Sequence, residues 1–265
     1  MLLSPDQAID ELTEEILLTQ TKLGAPPLLA LVWVGNDKQT EKFVRAKQKK
    51  ALELGIEFQL HHFDKAAERQ LEALISSLNE NKKVDGIIVQ LPLPPTVNTD
   101  RVLSHIEPSK DVDGLVANNF PSPTPTGVVM LLERNGLDLK KSQTVILGAG
   151  RLVGKPLAEI FKRNDWPFSQ IASQAEKHIE KIRTHDILIA ATGVEKLVGG
   201  DFVTEKMTVV DASGVDVDFE PVAKKAKMIS PQRGAIGPLT ILLLLKNVAT
   251  AAELRQDSSK RTRPV

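Results

Sequence analysis

The chain has 265 residues, 42% of them hydrophobic and 26% charged, the make-up of a soluble globular protein with one large or two modest domains. Lys+Arg and Asp+Glu balance at 34 each, so charge gives no reason to expect nucleic acid or an anionic membrane as a partner. With no cysteine, disulfides, thiol catalysis and cysteine metal sites are excluded; an N-terminus that turns acidic at once and a longest apolar run of only 239–245 point to a cytoplasmic protein.

Residues 5–23 predict an amphipathic helix, with Ser4 as N-cap, Pro5 at the first helical position and a stripe of Ile9, Leu12, Ile16 and Leu17. After Pro26 and Pro27, residues 28–34 are continuously apolar, as in a strand buried on both faces. A helix over 37–54, a strand over 57–63, a helix over 66–78 and a buried strand over 84–90 follow, the last stopped by Pro92, Pro94 and Pro95. The rhythm restarts with a helix over 126–135, a strand over 144–147, a helix over 153–163, a strand over 168–172, a helix over 176–183 and strands over 186–191 and 208–211. Strands alternating with helices of about a dozen residues predict an α/β fold of parallel sheets with helices on their faces. Three prolines within 121–127 stiffen the chain and suit a junction between two domains. A helix over 236–254 precedes a polar tail, QDSSKRTRPV, expected to be unstructured and solvated.

The stretch TVILGAGRLVGKP, residues 144–156, runs from an apolar strand through a glycine turn into a helix. Glycine lets the backbone approach a pyrophosphate, and the helix N-terminus offers free N–H groups and a positive dipole end. The spacing is G-x-G-x-x-x-G, one residue longer than the usual dinucleotide fingerprint, and a tight turn without a ligand is the alternative. In open α/β sheets, ligands bind beyond the carboxyl ends of the strands. Beyond the first strand lie Thr40, Phe43 and Lys47, with Phe43 and Lys47 four apart on one helical face. The third strand closes on Gln90, an amide that costs on the order of 1–3 kcal/mol if buried without partners. KDVDG, residues 110–114, adds Asp111 and Asp113. Each has a bland reading, but together they set an ammonium, an amide and a carboxylate at one end of one sheet.

DGIIVQLPLP (85–94), PSKDVDGL (108–115), PTPTG (123–127), GAGRLVGKP (148–156) and RGAIGPLT (233–240) occur in this order. In these segments the chain resembles the bifunctional methylenetetrahydrofolate dehydrogenase/cyclohydrolase family along nearly its full length. The resemblance implies a parallel-sheet catalytic domain over 1–125, completed by a C-terminal helix over 238–265, and a Rossmann-type dinucleotide domain over 126–237, with a cleft between them. It implies that Lys47 is the catalytic lysine, Gln90 the polar group near the reacting carbon and Asp113 the carboxylate that binds the pterin. It also implies that Gly234, Gly237 and Pro238 line the folate site and that Gly148, Ala149, Gly150, Arg151 and Gly154 form the dinucleotide turn. The implied chemistry is hydride removal from 5,10-methylenetetrahydrofolate, then hydrolysis to 10-formyltetrahydrofolate. A lysine can serve the second step only with a pKa lowered toward neutrality. The resemblance further implies a homodimer.

The chain departs from the family where Phe43 stands for tyrosine and Thr40 for serine, where Arg233 and Ala235 replace proline and glycine, and in shorter segments between Gly114 and Pro121 and around 213–218. Phenylalanine keeps a stacking face for the pterin but has no hydroxyl for Lys47 or substrate. A folate- or nucleotide-binding paralogue without turnover, or another two-domain NAD(P) oxidoreductase, are the alternatives. NAD selection uses an acid at the end of the second nucleotide-domain strand, where this chain has Ala172, Ser173 and Gln174. Ser173 with Arg151 or Lys177 can hold a 2′-phosphate, which favours NADP, with NAD also possible. No metal site is expected: His61 and His62 are adjacent on a strand and face opposite ways. His178 and His185 read as surface residues, and Asp216 and Asp218 as solvated carboxylates.

Overall fold

A computed structural model describes residues 1–116 and 119–261, with side chains through Asp257. It divides into two compact units, one of residues 11–122 and 241–265, the other of residues 1–10 and 123–240.

In the first unit three parallel strands, β1 (Leu28–Val34), β2 (Glu57–Phe63) and β3 (Gly86–Val89), lie in the order β2-β1-β3. The run LLALVWV makes β1 the central strand, buried along its length after Leu28, whereas the edge strand β2 alternates polar and apolar residues and is largely exposed. One face of β1 and β3, with Ala30, Val32, Ile87 and Val89, packs against Leu71, Ile75 and Leu78 of α3 (Glu68–Glu80) and against Val102 and Leu103 of a short α4 (Thr99–Leu103). Each such side chain contributes roughly 1.5–3 kcal/mol on burial. The helix α2 (Lys38–Glu53) leaves the carboxyl end of β1, capped by Asp37, whose side chain accepts the Thr40 N–H. The first helix, α1 (Asp6–Thr21), starts as expected, with the Asp6 N–H donating to Ser4 Oγ at 3.2 Å.

In the second unit five parallel strands, β4 (Thr144–Leu147), β5 (Phe168–Ile171), β6 (Ile187–Ala190), β7 (Thr208–Asp211) and β8 (Met228–Ile229), run in the order β5-β4-β6-β7-β8. The first ten residues join this unit rather than the domain expected to hold them, because Leu2 bridges to Ile229 and Leu3 is fully buried. The helix expected from residue 126 is α5 (Pro123–Arg134), so the proline segment, at which the two units divide, also forms a helical first turn. A first turn needs no N–H from proline, whose fixed φ already suits a helix. The glycine turn leads into α6 (Gly154–Arg163). The helix expected over 176–183 splits into a 3-10 turn at Ala175–His178 and a short α7 (Ile179–Ile182), after Gln174 adopts φ 54°. Neither α8 (Phe219–Lys225) nor β8 was expected from the sequence.

The last helix, α9 (Ile236–Arg261), extends well into the tail expected to be unstructured; residues 262–265 lie outside the described residues. Against the expectation drawn from its short apolar run, the 22 residues of α9 from 236 to 257 have the length of a membrane span, and an 18-residue window within them reaches a mean hydropathy of 1.3. However, 61% of that window is buried inside the protein, which marks a core helix. Val248 of α9 and Val112 crowd Gly86 so closely that a Cβ there would lie 3.2 Å from the former and 2.8 Å from the latter. The absence of a side chain at Gly86 lets α9 and the 111–114 turn pack against the start of β3.

Candidate active site

Within the first unit the structure brings Lys47, Gln90 and Asp113 together. The Asp37 cap sets the register of α2, because the Thr40 N–H donates to Asp37 Oδ2 at 2.7 Å. Phe43 and Lys47 then fall on one face. Lys47 is half-buried, and its Nζ donates to Gln90 Oε1 at 2.9 Å; Phe43 keeps 48% of its surface exposed. The Gln90 backbone N–H donates to Val32 O at 2.8 Å, carrying the β1–β3 pairing one residue further, and its Nε2 donates to Leu91 O at 2.9 Å. The polar strand end is thereby explained: the carbonyl receives the ammonium and the amide nitrogen is anchored to the backbone, so the side chain is aimed.

The KDVDG turn divides its labour. Lys110 is buried and its Nζ donates to the carbonyls of Leu78, Asn79 and Asn81 at 2.9, 2.6 and 2.9 Å, closing the end of α3. Asp111 is buried and accepts the N–H groups of Leu115 and Val116 at 3.3 and 2.8 Å. Asp113 is the carboxylate left for the site. Burial holds the Lys47 ammonium below the ordinary lysine range, and the charge of Asp113 opposes that shift. Burial likewise pushes Asp113 above the ordinary carboxylate range, against the pull of Lys47 and with a push from Asp111. For both groups burial outweighs mutual attraction, so each is driven toward its neutral form. A neutral amine can accept a proton, which an ordinary lysine near neutral pH cannot.

The sequence reading missed Asn247. It is buried in α9 and its Nδ2 donates to Val112 O at 2.8 Å and Pro121 O at 2.9 Å, pinning both sides of the loop that carries Asp113. An amide within the apolar stretch 239–252 was the available signal.

The residues expected to form the dinucleotide turn gather in the second unit. Gly148 ends β4 at φ 100°, and a Cβ there would lie 2.3 Å from Ala191 O; a Cβ on Gly154 would lie 2.4 Å from Gly148 O. Gln170 Nε2 ties the turn by donating to the carbonyls of Gly148 and Gly154 at 2.9 and 3.0 Å. At Gly150 nothing lies within 4 Å of the Cβ position, and Ala149 and Gly150 are exposed, so the turn is tight behind and open in front. The N-cap residue of α6, Val153, makes no side-chain capping hydrogen bond. These features fit a pyrophosphate. Ser173 is exposed just beyond β5, beside Ala172 and Gln174 and without a carboxylate among them, which fits a 2′-phosphate. Arg151 and Lys177 are exposed as well.

Gly234, Gly237 and Pro238 also belong to the second unit, around the start of α9, with Gly234 at φ 87°. Ala235 is buried between them and Arg233 is exposed. Of the two shortened segments, the first contains residues 117–118, outside the described residues.

Two dismissed residues are placed differently from expectation. His185 is buried, with Nδ1 on Lys181 O at 2.9 Å and Nε2 on Ser169 Oγ at 2.7 Å, a satisfied interior histidine. Asp216 is fully buried rather than solvated, because Thr192 and Ser213 supply its hydrogen bonds.

Two family models match the chain: tetrahydrofolate dehydrogenase/cyclohydrolase, catalytic domain, over residues 5–113, and the NAD(P)-binding domain of the same name over residues 122–256. The chain is 36% identical to the bifunctional protein FolD 2 of Geobacter sulfurreducens over 258 residues, 89% of this chain and 90% of that one. Among solved structures it is similar to the bifunctional FolD methylenetetrahydrofolate dehydrogenase/cyclohydrolase of Campylobacter jejuni (33% identity, TM-score 0.85, 95% of this chain and 96% of that one). It is also similar to the Trypanosoma brucei enzyme complexed with NADP cofactor and inhibitor (28% identity, TM-score 0.88, 96% and 97% covered).

Proposed function

Because the chain belongs to the tetrahydrofolate dehydrogenase/cyclohydrolase family, we propose that it oxidises 5,10-methylenetetrahydrofolate to the 5,10-methenyl cation with NADP as hydride acceptor, and hydrolyses that cation to 10-formyltetrahydrofolate. The observation that carries the reading is the half-buried Lys47 amine, its pKa lowered by burial, held 2.9 Å from Gln90 Oε1 at the carboxyl end of the β1–β3 sheet.

The roles of individual residues are part of this proposal. Oxidation removes a hydride from the one-carbon bridge, and the dinucleotide supplies the acceptor. Water then adds to the cationic carbon, one proton is released and a ring C–N bond opens. Lys47 in its neutral form takes the proton from that water; Gln90 aims the amine; Asp113 binds the pterin ring. Phe43 offers a stacking face, and Thr40 keeps the hydroxyl of the family's serine. Gly148, Ala149, Gly150, Arg151 and Gly154 hold the pyrophosphate, and Ser173 receives the 2′-phosphate that marks NADP. A homodimer, which the family likeness implies, and a cytoplasmic compartment complete the proposal; sedimentation and cell fractionation test both.

The experiment mixes protein and substrate with NADP or NAD and follows reduced cofactor and methenyl absorbance. Faster turnover with NADP is expected. No product with either cofactor, alongside calorimetric ligand binding, would replace the proposal with a folate-binding paralogue without turnover. Activity on an unrelated substrate alone would indicate a different two-domain oxidoreductase.

A further inference from the structure

Beyond β7 the second unit carries a buried network that the proposed reaction leaves unused. Asp216 is fully buried in the shortened segment after β7. Its Oδ2 accepts the Thr192 N–H at 2.5 Å and the Thr192 hydroxyl at 2.8 Å; Thr192 sits just beyond β6. The Ser213 hydroxyl lies 2.5 Å from Asp216 Oδ1 and 3.0 Å from Asp211 Oδ1. It carries one proton, so it bridges the two carboxylates and serves one at a time. The loops after β6 and β7 are further joined by Lys196 N–H to Val215 O at 2.8 Å, Val198 N–H to Asp216 O at 2.9 Å and Asp218 N–H to Val198 O at 3.0 Å.

Two observations tie this network to the dinucleotide turn. The carbonyl of Ala191, immediately before Thr192, is the atom that would lie 2.3 Å from a Cβ on Gly148. The peptide that Asp216 holds is therefore the back wall of the glycine turn, and displacement of one moves the other. Second, Leu152, Val194 and Val215 are exposed apolar side chains that follow β4, β6 and β7, at the strand ends where ligands of parallel sheets bind. Three apolar side chains around that rim suit the flat rings of a dinucleotide better than they suit water.

We propose that Asp216 is a positioning residue for the dinucleotide: through Thr192 it fixes the Ala191 carbonyl against which Gly148 is set. This rests on the NADP reading above. The test is calorimetric titration of NADP into wild type, Asp216→Asn, Thr192→Val and the double variant, with folate titration and unliganded melting temperature as controls. Asp216→Asn keeps the side-chain volume, so it survives where Asp216→Ala could fail to fold. Each single variant should raise the NADP dissociation constant by about tenfold while folate binding stays within about twofold, and the double variant should be no worse than the weaker single. A purely structural role would lower the melting temperature and leave NADP affinity in the folded protein unchanged, which would overturn the inference. So would additive effects of the two substitutions, or an equal loss of folate affinity. Wild-type protein that binds no NADP would overturn this inference and the cofactor reading together, whereas wild-type binding with unaffected variants overturns this inference alone.

Discussion

Replacing Lys47 with methionine separates the two half-reactions. The change keeps the length of the side chain and removes its amine. The bond from Nζ to Gln90 Oε1, 2.9 Å in the structure, is lost, and a hydrogen bond to a charged group is worth about 1.5–3 kcal/mol. The same change removes the burial cost that depresses the Lys47 pKa, so the two terms oppose and the variant should remain folded. General base catalysis contributes typically 10²–10⁴-fold. Hydrolysis should therefore fall by at least about a hundredfold, roughly 2.7 kcal/mol at the barrier, while hydride transfer and folate binding change by less than about tenfold. In the assay, methenyl absorbance would accumulate in the variant and decay in the wild type. The pH dependence gives an independent check. The base must be neutral, so wild-type hydrolysis should rise with pH through an inflection below the ordinary lysine value of 10.5, and the variant should lack that limb. Linkage has the same sign: a lysine pKa lower in the folded than in the unfolded state means the unfolded chain binds more protons between the two values. Lys47 thus makes wild-type stability rise with pH across that window, and the methionine variant loses the rise. Hydrolysis within tenfold of wild type, or a retained pH limb, would refute the role given to Lys47.

Asp113→Asn removes the charge that holds the Lys47 pKa up, so the hydrolytic inflection should move to lower pH while KM for folate rises; an inflection moving upward would contradict the electrostatic reading. Phe43→Tyr places a hydroxyl one helical turn before Lys47 and should raise the hydrolysis rate several-fold with little effect on oxidation, as initial rates of the two steps would show. Asn247→Ala strips the buried Val112 carbonyl and the part-buried Pro121 carbonyl of their donor, so denaturant unfolding should show about 1–3 kcal/mol lost and KM for folate should rise before kcat falls. Gly154→Ala forces a Cβ to 2.4 Å from Gly148 O; dinucleotide titration should show binding largely lost and folate binding kept.

The likeness to folate enzymes and the parallel α/β fold were legible because both depend on local pattern. A seven-residue apolar run such as 28–34 can be buried on both faces only at the middle of a parallel sheet, and β1 is that strand. Glycines 148, 150 and 154 between a strand and a helix declare a tight turn by themselves. The spacing of Phe43 and Lys47 declares a shared helical face. Where local signals were weak the reading slipped: β8 has two residues, and the proline-rich stretch, besides marking the division between the two units, forms the first turn of α5.

Other features were beyond the reach of sequence because they depend on groups far apart along the chain. Asn247 meets Val112 and Pro121 across separations of 135 and 126 residues, and the first ten residues leave their neighbours to pair beside Ile229. Asp216 looked like one more carboxylate near a turn until Thr192, 24 residues earlier, was found to enclose it. Likewise, the family resemblance implies a catalytic role for Lys47, but whether its amine is neutral enough to act depends on how much protein surrounds it and how near Asp113 stands. Periodicity and turn chemistry are written residue by residue; desolvation and the satisfaction of buried polar groups are properties of the packed chain.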